Sequence, residues 1–129
     1  MPQPKGEITR GTTNPNRLRR VDRWITWRCR DLLTSSDEPL VVDLGFGASP
    51  ITTVELRQRL AVLNPQVRVV GLEIDRERVA AAQPFADPPA LSFARGGFEL
   101  AGLPHHVNID RMVVRPLAQA AQHKVHRVL

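Results

Sequence analysis

The chain has 129 residues, 42% apolar and 24% charged, which fits one modest globular domain and excludes collagen-like, low-complexity and largely disordered chains. Its net charge of +5 is uneven: residues 1–30 hold eight basic groups against Glu7 and Asp22, while the remaining 99 hold ten basic and eleven acidic groups. No run approaches the ~18 apolar residues of a membrane span, Met1–Gly6 has no apolar core behind it to make a secretory signal, and the single Cys29 excludes an internal disulfide framework or a zinc site of several thiolates; a cytoplasmic protein is expected.

Residues 1–13 have no apolar period and read as a flexible basic arm. Asn14-Pro15 then reads as a helix start, with Asn14 the cap and Pro15 the first helical residue. Leu18, Val21, Ile25, Cys29 and Leu32 recur every three or four residues, so the spacing predicts one amphipathic helix over about 15–33 within a 14–36 segment. Arg19, Arg23 and Arg30 fall largely outside that stripe, where they form either a solvated face or a phosphate-binding one. Thr34-Ser35-Ser36-Asp37-Glu38-Pro39 is turn chemistry.

Leu40–Leu44 is short and mostly apolar, as a buried strand is. After Gly45-Phe46-Gly47, Ser49 caps a helix with Pro50 at its first position. Val54, Leu56, Leu60 and Leu63 supply its apolar contacts, and Glu55 with Arg59 makes an i, i+4 pair. Asn64-Pro65 stops it. Val67–Ile74 is a second strand, Asp75 caps a short helix running to about Gln83, Pro84–Pro89 is a loop, and Leu91–Arg95 is a third strand ended by Gly96-Gly97. This alternation over 37–103 predicts an α/β fold: a partial, Rossmann-like parallel sheet of three to four strands, with helices on both faces behind the N-terminal basic helix. Residues 104–129 form an atypical tail, with Asn108–Val114 a candidate fourth strand and 117–129 a candidate helix of weak apolar face.

Three features converge on one end of such a sheet. The first strand carries Asp43 near its end, a Gly-x-Gly turn links it to a capped helix, and the second strand ends in Glu73, thirty positions after Asp43. Glycines permit tight curvature and close approach of a ligand to the backbone. A carboxylate at the tip of the next strand can accept hydrogen bonds from both hydroxyls of a ribose, and open α/β sheets bind ligands at the carboxyl ends of their strands. Neither a third glycine for a dinucleotide fingerprint nor the Gly-Lys-Ser/Thr of a P-loop is present, which favours a nucleoside without a pyrophosphate.

Val41-Val42-Asp43-Leu44-Gly45-Phe46-Gly47 resembles the first motif of class I S-adenosylmethionine-dependent methyltransferases, and Val69-Val70-Gly71-Leu72-Glu73-Ile74-Asp75 resembles their second. The resemblance implies S-adenosylmethionine as cofactor, with the Gly45, Phe46 and Gly47 backbone against its methionine part. It further implies Asp43 orienting that loop or reaching the amino group through water, Glu73 on the ribose hydroxyls and Ile74 against the adenine. Glu99 stands near the family's acid after the third strand, displaced from the usual place. Gly-Phe-Gly with Asn64-Pro65 and Gly71–Asp75 is most similar to tRNA (guanine-N7) methyltransferases, although that subfamily's later substrate motif is absent. An RNA partner at Arg10, Arg17, Arg19, Arg20 and Arg23 is therefore expected. A complete sheet of this family has about seven strands in a normal-sized domain, so the resemblance also implies a truncated enzyme lacking its acceptor half, with an exposed sheet edge open to self-association. The alternatives are a non-catalytic nucleic-acid-binding or interaction module, and an inactive methyltransferase fragment.

The other chemically suggestive residues have plainer readings. His105-His106 and His123-x-x-His126 lack accompanying carboxylates or thiols and read as solvated surface, so no metal is expected. Cys29, on the apolar stripe, reads as a small core residue. Trp24 and Trp27 read as packing of the N-terminal helix on the sheet, with base stacking the alternative. Asp43 as a loop cap and Glu73 as a surface acid are the plain counterparts of their cofactor roles.

Overall fold

A computed structural model describes residues 14–97 and the strand at 112–116. The expected arm, Arg10, Glu99, the histidine pairs and the candidate terminal helix lie outside the described residues. The chain order is α1 (Arg19–Arg28), α2 (Arg30–Ser35), β1 (Leu40–Leu44), α3 (Ile51–Ala61), β2 (Arg68–Glu73), α4 (Arg76–Ala82), a 3-10 turn at Gln83–Phe85, β3 (Leu91–Arg95) and β4 (Met112–Pro116). The four strands form one sheet in the order β3-β2-β1-β4, and every neighbouring pair is parallel. The fold is thus the α/β parallel arrangement that the strand–helix alternation predicts.

The pleat sorts the strand residues. Val41, Val69, Leu91 and Phe93 face α1 to α4 and share a core with Ile25, Cys29, Leu33, Leu56, Leu60 and Ala82. Leu40, Val42, Leu44 and Leu72 point the other way and form a second cluster, flanked by Val70 and Ala94. Among the described residues all helices that contribute apolar side chains do so on the first face, whereas helices were expected on both. Two successive crossovers of one hand that advance in one direction, β1 to β2 to β3, must lie on the same face. The direction reverses at β4, which pairs with the opposite side of β1, and this makes the β1–β4 boundary a topological switch point.

The outer edge of β3 is partly blocked. Asp87 and Leu91 exchange both backbone hydrogen bonds, at 2.8 and 2.9 Å, on the side away from β2. A short edge strand covered at its start offers little template for pairing with another chain.

The N-terminal segment departs from its expected single helix. Asn16 has φ 63°, a left-handed conformation that Asn tolerates and a continuing helix does not, so α1 begins at Arg19 rather than at Pro15. Its backbone N–H donates to both Glu55 oxygens, at 3.0 and 3.1 Å, which seats this turn on α3. Cys29 (φ −105°, ψ 16°) leaves helical geometry and divides α1 from α2, although hydrogen bonds from Cys29 to Ile25 and from Leu33 to Cys29 continue across it. Of the expected apolar stripe, Leu18, Ile25 and Cys29 are buried and Val21 and Leu32 only half-buried, and it is Leu33 that enters the core at its end. Burial pushes the Cys29 thiol pKa above its ordinary value, and the Arg28 charge opposes the shift. The tryptophans are not part of that packing, for Trp24 is 37% and Trp27 73% exposed.

The segment is fastened by polar contacts that periodicity does not reveal. Asp22 is fully buried and accepts from Arg59 Nη1 at 2.7 Å; Arg59 Nη2 donates to Asn16 Oδ1 at 2.9 Å. The expected Glu55–Arg59 pair exists at 3.8 Å, as the longer of Arg59's two ion pairs. Asn64 donates to the carbonyls of Leu33 and Ser36 and accepts from the Gln66 N–H, so the stop signal after α3 also ties down the end of α2.

Arg59→Ala leaves the Asp22 carboxylate buried without this partner. Stability should fall by about 3 kcal/mol, the low end for breaking a buried pair because Arg59 is itself 25% exposed. Urea unfolding followed by circular dichroism measures it, and a loss under 1 kcal/mol would contradict this role.

Candidate functional site

β1 and β2 run in register with Asp43 beside Gly71 and Leu44 beside Leu72. Both strands deliver their C-terminal ends to the same edge of the sheet, and the chain leaves β1 there through Gly45-Phe46-Gly47. Gly45 (φ 68°) and Gly47 (φ 91°) both occupy the left-handed region, where a side chain would strain the backbone. The Gly45 N–H donates to the Leu72 carbonyl at 2.7 Å, extending the ladder one step before the turn.

Glu73 closes the site from the β2 side. Its carboxylate is 2% exposed, with Oε1 accepting from the Gly47 N–H at 3.2 Å and Oε2 from the Asp75 N–H at 3.0 Å. Arg78 from α4 approaches Oε1 at 3.8 Å and Asp75 Oδ2 at 3.6 Å. Asp75 caps α4 by accepting from the Glu77 N–H at 3.1 Å, as Asp before a short helix should. One buried anion thus bridges the β1 turn, the end of β2 and the approach to α4.

Asp43 is equally buried, at 1%, and accepts from the Thr53 hydroxyl at 2.7 Å. Thr53 lies in the first turn of α3, where the helix dipole favours a negative charge. Asp43 therefore fixes the start of α3 against β1, in keeping with its loop-orienting alternative. Ser49 accepts from the Ile51 N–H at 3.3 Å and the Pro50 carbonyl accepts the first helical N–H groups, so the expected cap lies one residue before the observed helix boundary.

The sequence-predicted residues divide in two. Gly45, Gly47, Asp43 and Glu73 gather at one edge, as the constellation requires. Phe46, of which only the backbone was expected at the site, turns its side chain into the core at 1% exposure and meets Phe93 edge to face, with ring centroids 5.1 Å apart. Only its backbone can present itself to a ligand. Ile74 is half-buried, and its carbonyl accepts from Arg95 Nε at 3.0 Å. Sequence reasoning missed Thr53, Arg78 and Gly71. A Cβ on Gly71 would stand 2.9 Å from Phe93 Cδ1 and 3.0 Å from Phe46 Cδ2, so this glycine makes room for the ring that anchors the turn. The Asp75-x-x-Arg78 spacing was the one available signal for Arg78, since i and i+3 share a helix face.

The Glu73 carboxylate acts here as a hydrogen-bond acceptor. A carboxylate has about four acceptor positions, and two backbone N–H groups use one on each Glu73 oxygen. Glu73 is almost wholly covered in this arrangement, with the Gly47 N–H lying against its Oε1. Among the described residues, no group of three or more His, Cys, Asp or Glu is placed to hold a metal ion, and no helix is long and apolar enough to cross a membrane. No family model matches the chain, nor does a curated protein or a solved structure.

Two substitutions test this framework. Thr53→Val removes a hydrogen bond to a buried carboxylate and should lower stability by about 1.5–3 kcal/mol in urea titration. Gly71→Ala should cost about 1–3 kcal/mol by overpacking, and it should blunt the near-ultraviolet aromatic dichroism of Phe46 and Phe93. Wild-type midpoints for both variants would refute the contacts assigned to them.

Proposed function

We propose that this chain forms the cofactor-binding part of an S-adenosylmethionine-dependent methyltransferase working in the cytoplasm. The observation that carries the reading is the contact between the Gly47 N–H and Glu73 Oε1 at the carboxyl edge of β1 and β2. A glycine turn of left-handed backbone and a strand-end carboxylate meet there, beside the switch point where open α/β sheets take nucleosides.

In this reading Glu73 holds the two ribose hydroxyls, the Gly45–Gly47 backbone lies along the methionine portion and Ile74 borders the adenine. Asp43 acts by holding α3 and the turn in place. When bound, S-adenosylmethionine supplies an already activated methyl group for in-line displacement. The protein's own task is then to align, to exclude water and, for some acceptors, to take a proton. Arg78, 3.8 Å from Glu73 Oε1 and 3.6 Å from Asp75 Oδ2, helps to orient both carboxylates.

A second reading, a nucleic-acid-binding module with or without catalysis, has separate support. Arg17, Arg19, Arg20 and Arg23 are all exposed on one segment, as an RNA partner would need.

Calorimetric titration with S-adenosylmethionine and S-adenosylhomocysteine tests the first reading. Both should bind, and Glu73→Gln should weaken binding by about 1.5–3 kcal/mol, since a charged acceptor is lost and one amide now faces donors. The variant's melting temperature, measured without ligand, separates this from loss of fold. Absence of heat and of any ligand-induced melting shift at millimolar concentration would end the cofactor reading.

A further inference from the structure

Helical spacing gathers the basic residues of α1 and α2 more tightly than their sequence positions suggest. Arg19, Arg23, Trp27 and Arg30 follow one another at intervals of four, four and three residues and share one side of the segment. That side forms one wall of a groove of about 520 Å³. The other wall is the end of α3 and the residues after it: Arg59, Val62 and Leu63.

The chemistry of this groove is lopsided. Its ionic groups are Arg19, Arg23, Arg30 and Arg59 against Asp22 alone, and Asp22 is fully buried and bonded to Arg59 at 2.7 Å. Among the described residues no carboxylate lies within salt-bridge distance of Arg19, Arg23 or Arg30. Trp27 is 73% exposed and Val62 85% exposed, so an open indole face lies among the cations of the groove.

We propose that the groove between α1–α2 and the end of α3 binds single-stranded nucleic acid, with a base stacked on Trp27 and phosphates on Arg19, Arg23 and Arg30. Arg19 and Trp27 are eight residues apart, about 12 Å along a helix, enough to follow a few nucleotides of one strand. Flat aromatic platforms between cations are what sequence-tolerant recognition of single strands requires. An acidic peptide would satisfy the guanidinium groups but offer the indole no planar partner. The inference deepens the nucleic-acid reading of the N-terminal segment, uses none of the residues around Gly47 and Glu73, and stands or falls apart from the cofactor.

The test uses the full chain carrying Trp24→Phe, which leaves Trp27 as the sole tryptophan of the two. Titration with twelve-nucleotide oligo(dT) and oligo(U) should quench its emission. In anisotropy titrations with labelled oligonucleotide, Trp27→Ala in the wild-type background should weaken binding roughly five- to a hundredfold. Arg23→Gln and Arg30→Gln should each reduce the slope of log affinity against log salt by about 0.7. Unaltered melting temperatures are expected for these exposed positions. Oligonucleotide binding that Trp27→Ala leaves unchanged would overturn the stacking site while sparing the broader nucleic-acid reading; no oligonucleotide binding at low salt would overturn both. Equal or tighter binding of polyglutamate or of anionic phospholipid vesicles, lost on Trp27→Ala, would assign the groove to an acidic peptide or a membrane surface and would likewise overturn the proposal.

Discussion

A carboxylate removed from water at the end of a strand has to be met by donors, and Glu73 is met by the backbone. Its two oxygens take N–H groups from the turn after β1 and from the start of the segment leading into α4. Three elements that are separate in sequence therefore share one anion. Removing the carboxylate does more than delete a side chain, because one buried and one part-buried amide then lose their acceptor. The same arrangement explains why the turn needs its two glycines: only a backbone that curls through the left-handed region points the Gly47 N–H back at Glu73.

Asp43 repeats the logic one strand over. It is buried and accepts from the Thr53 hydroxyl at the N-terminal end of α3. Between them, Asp43 and Glu73 hold the two ends of the β1–α3 connection. Phe46 adds the apolar counterpart, locking the middle of the turn into the core against Phe93 over the space that Gly71 leaves open. The turn is thus pinned at its middle and hydrogen-bonded at both ends, through the Gly45 and Gly47 N–H groups.

Arginines in the N-terminal segment and its docking surface do two unlike things. Arg59 works inward, saturating Asp22 and Asn16 and so fastening α1 to α3. Arg19, Arg23 and Arg30 work outward, along the same seam, and leave a basic groove with an indole in it. The neutralised Asp22 is what makes the two compatible: the acid that could have balanced the groove is already committed underneath it.

Much of this was legible in the sequence. The strands at 40–44 and 91–95 fell where apolar runs and turn residues put them, the second strand fell within one residue of its expected ends, and Asp75 capped its helix, because these are local properties of backbone and side chain. The juxtaposition of Gly47 with Glu73 followed from parallel connectivity, which brings successive strand ends to one edge. Other features were settled by packing. Periodicity gives a helical face but not what meets it, so no spacing pairs Asp22 with Arg59, and Trp27, expected to pack on the sheet, is left 73% exposed. An Asn can enter a helix or leave it left-handed, and the Glu55 carboxylate on the Asn16 amide decided which. Sequence determined the elements and the chemistry available at their ends. Tertiary structure alone decided which charges were consumed in holding the elements together and which were left to face outward, since that depends on distances between residues tens of positions apart.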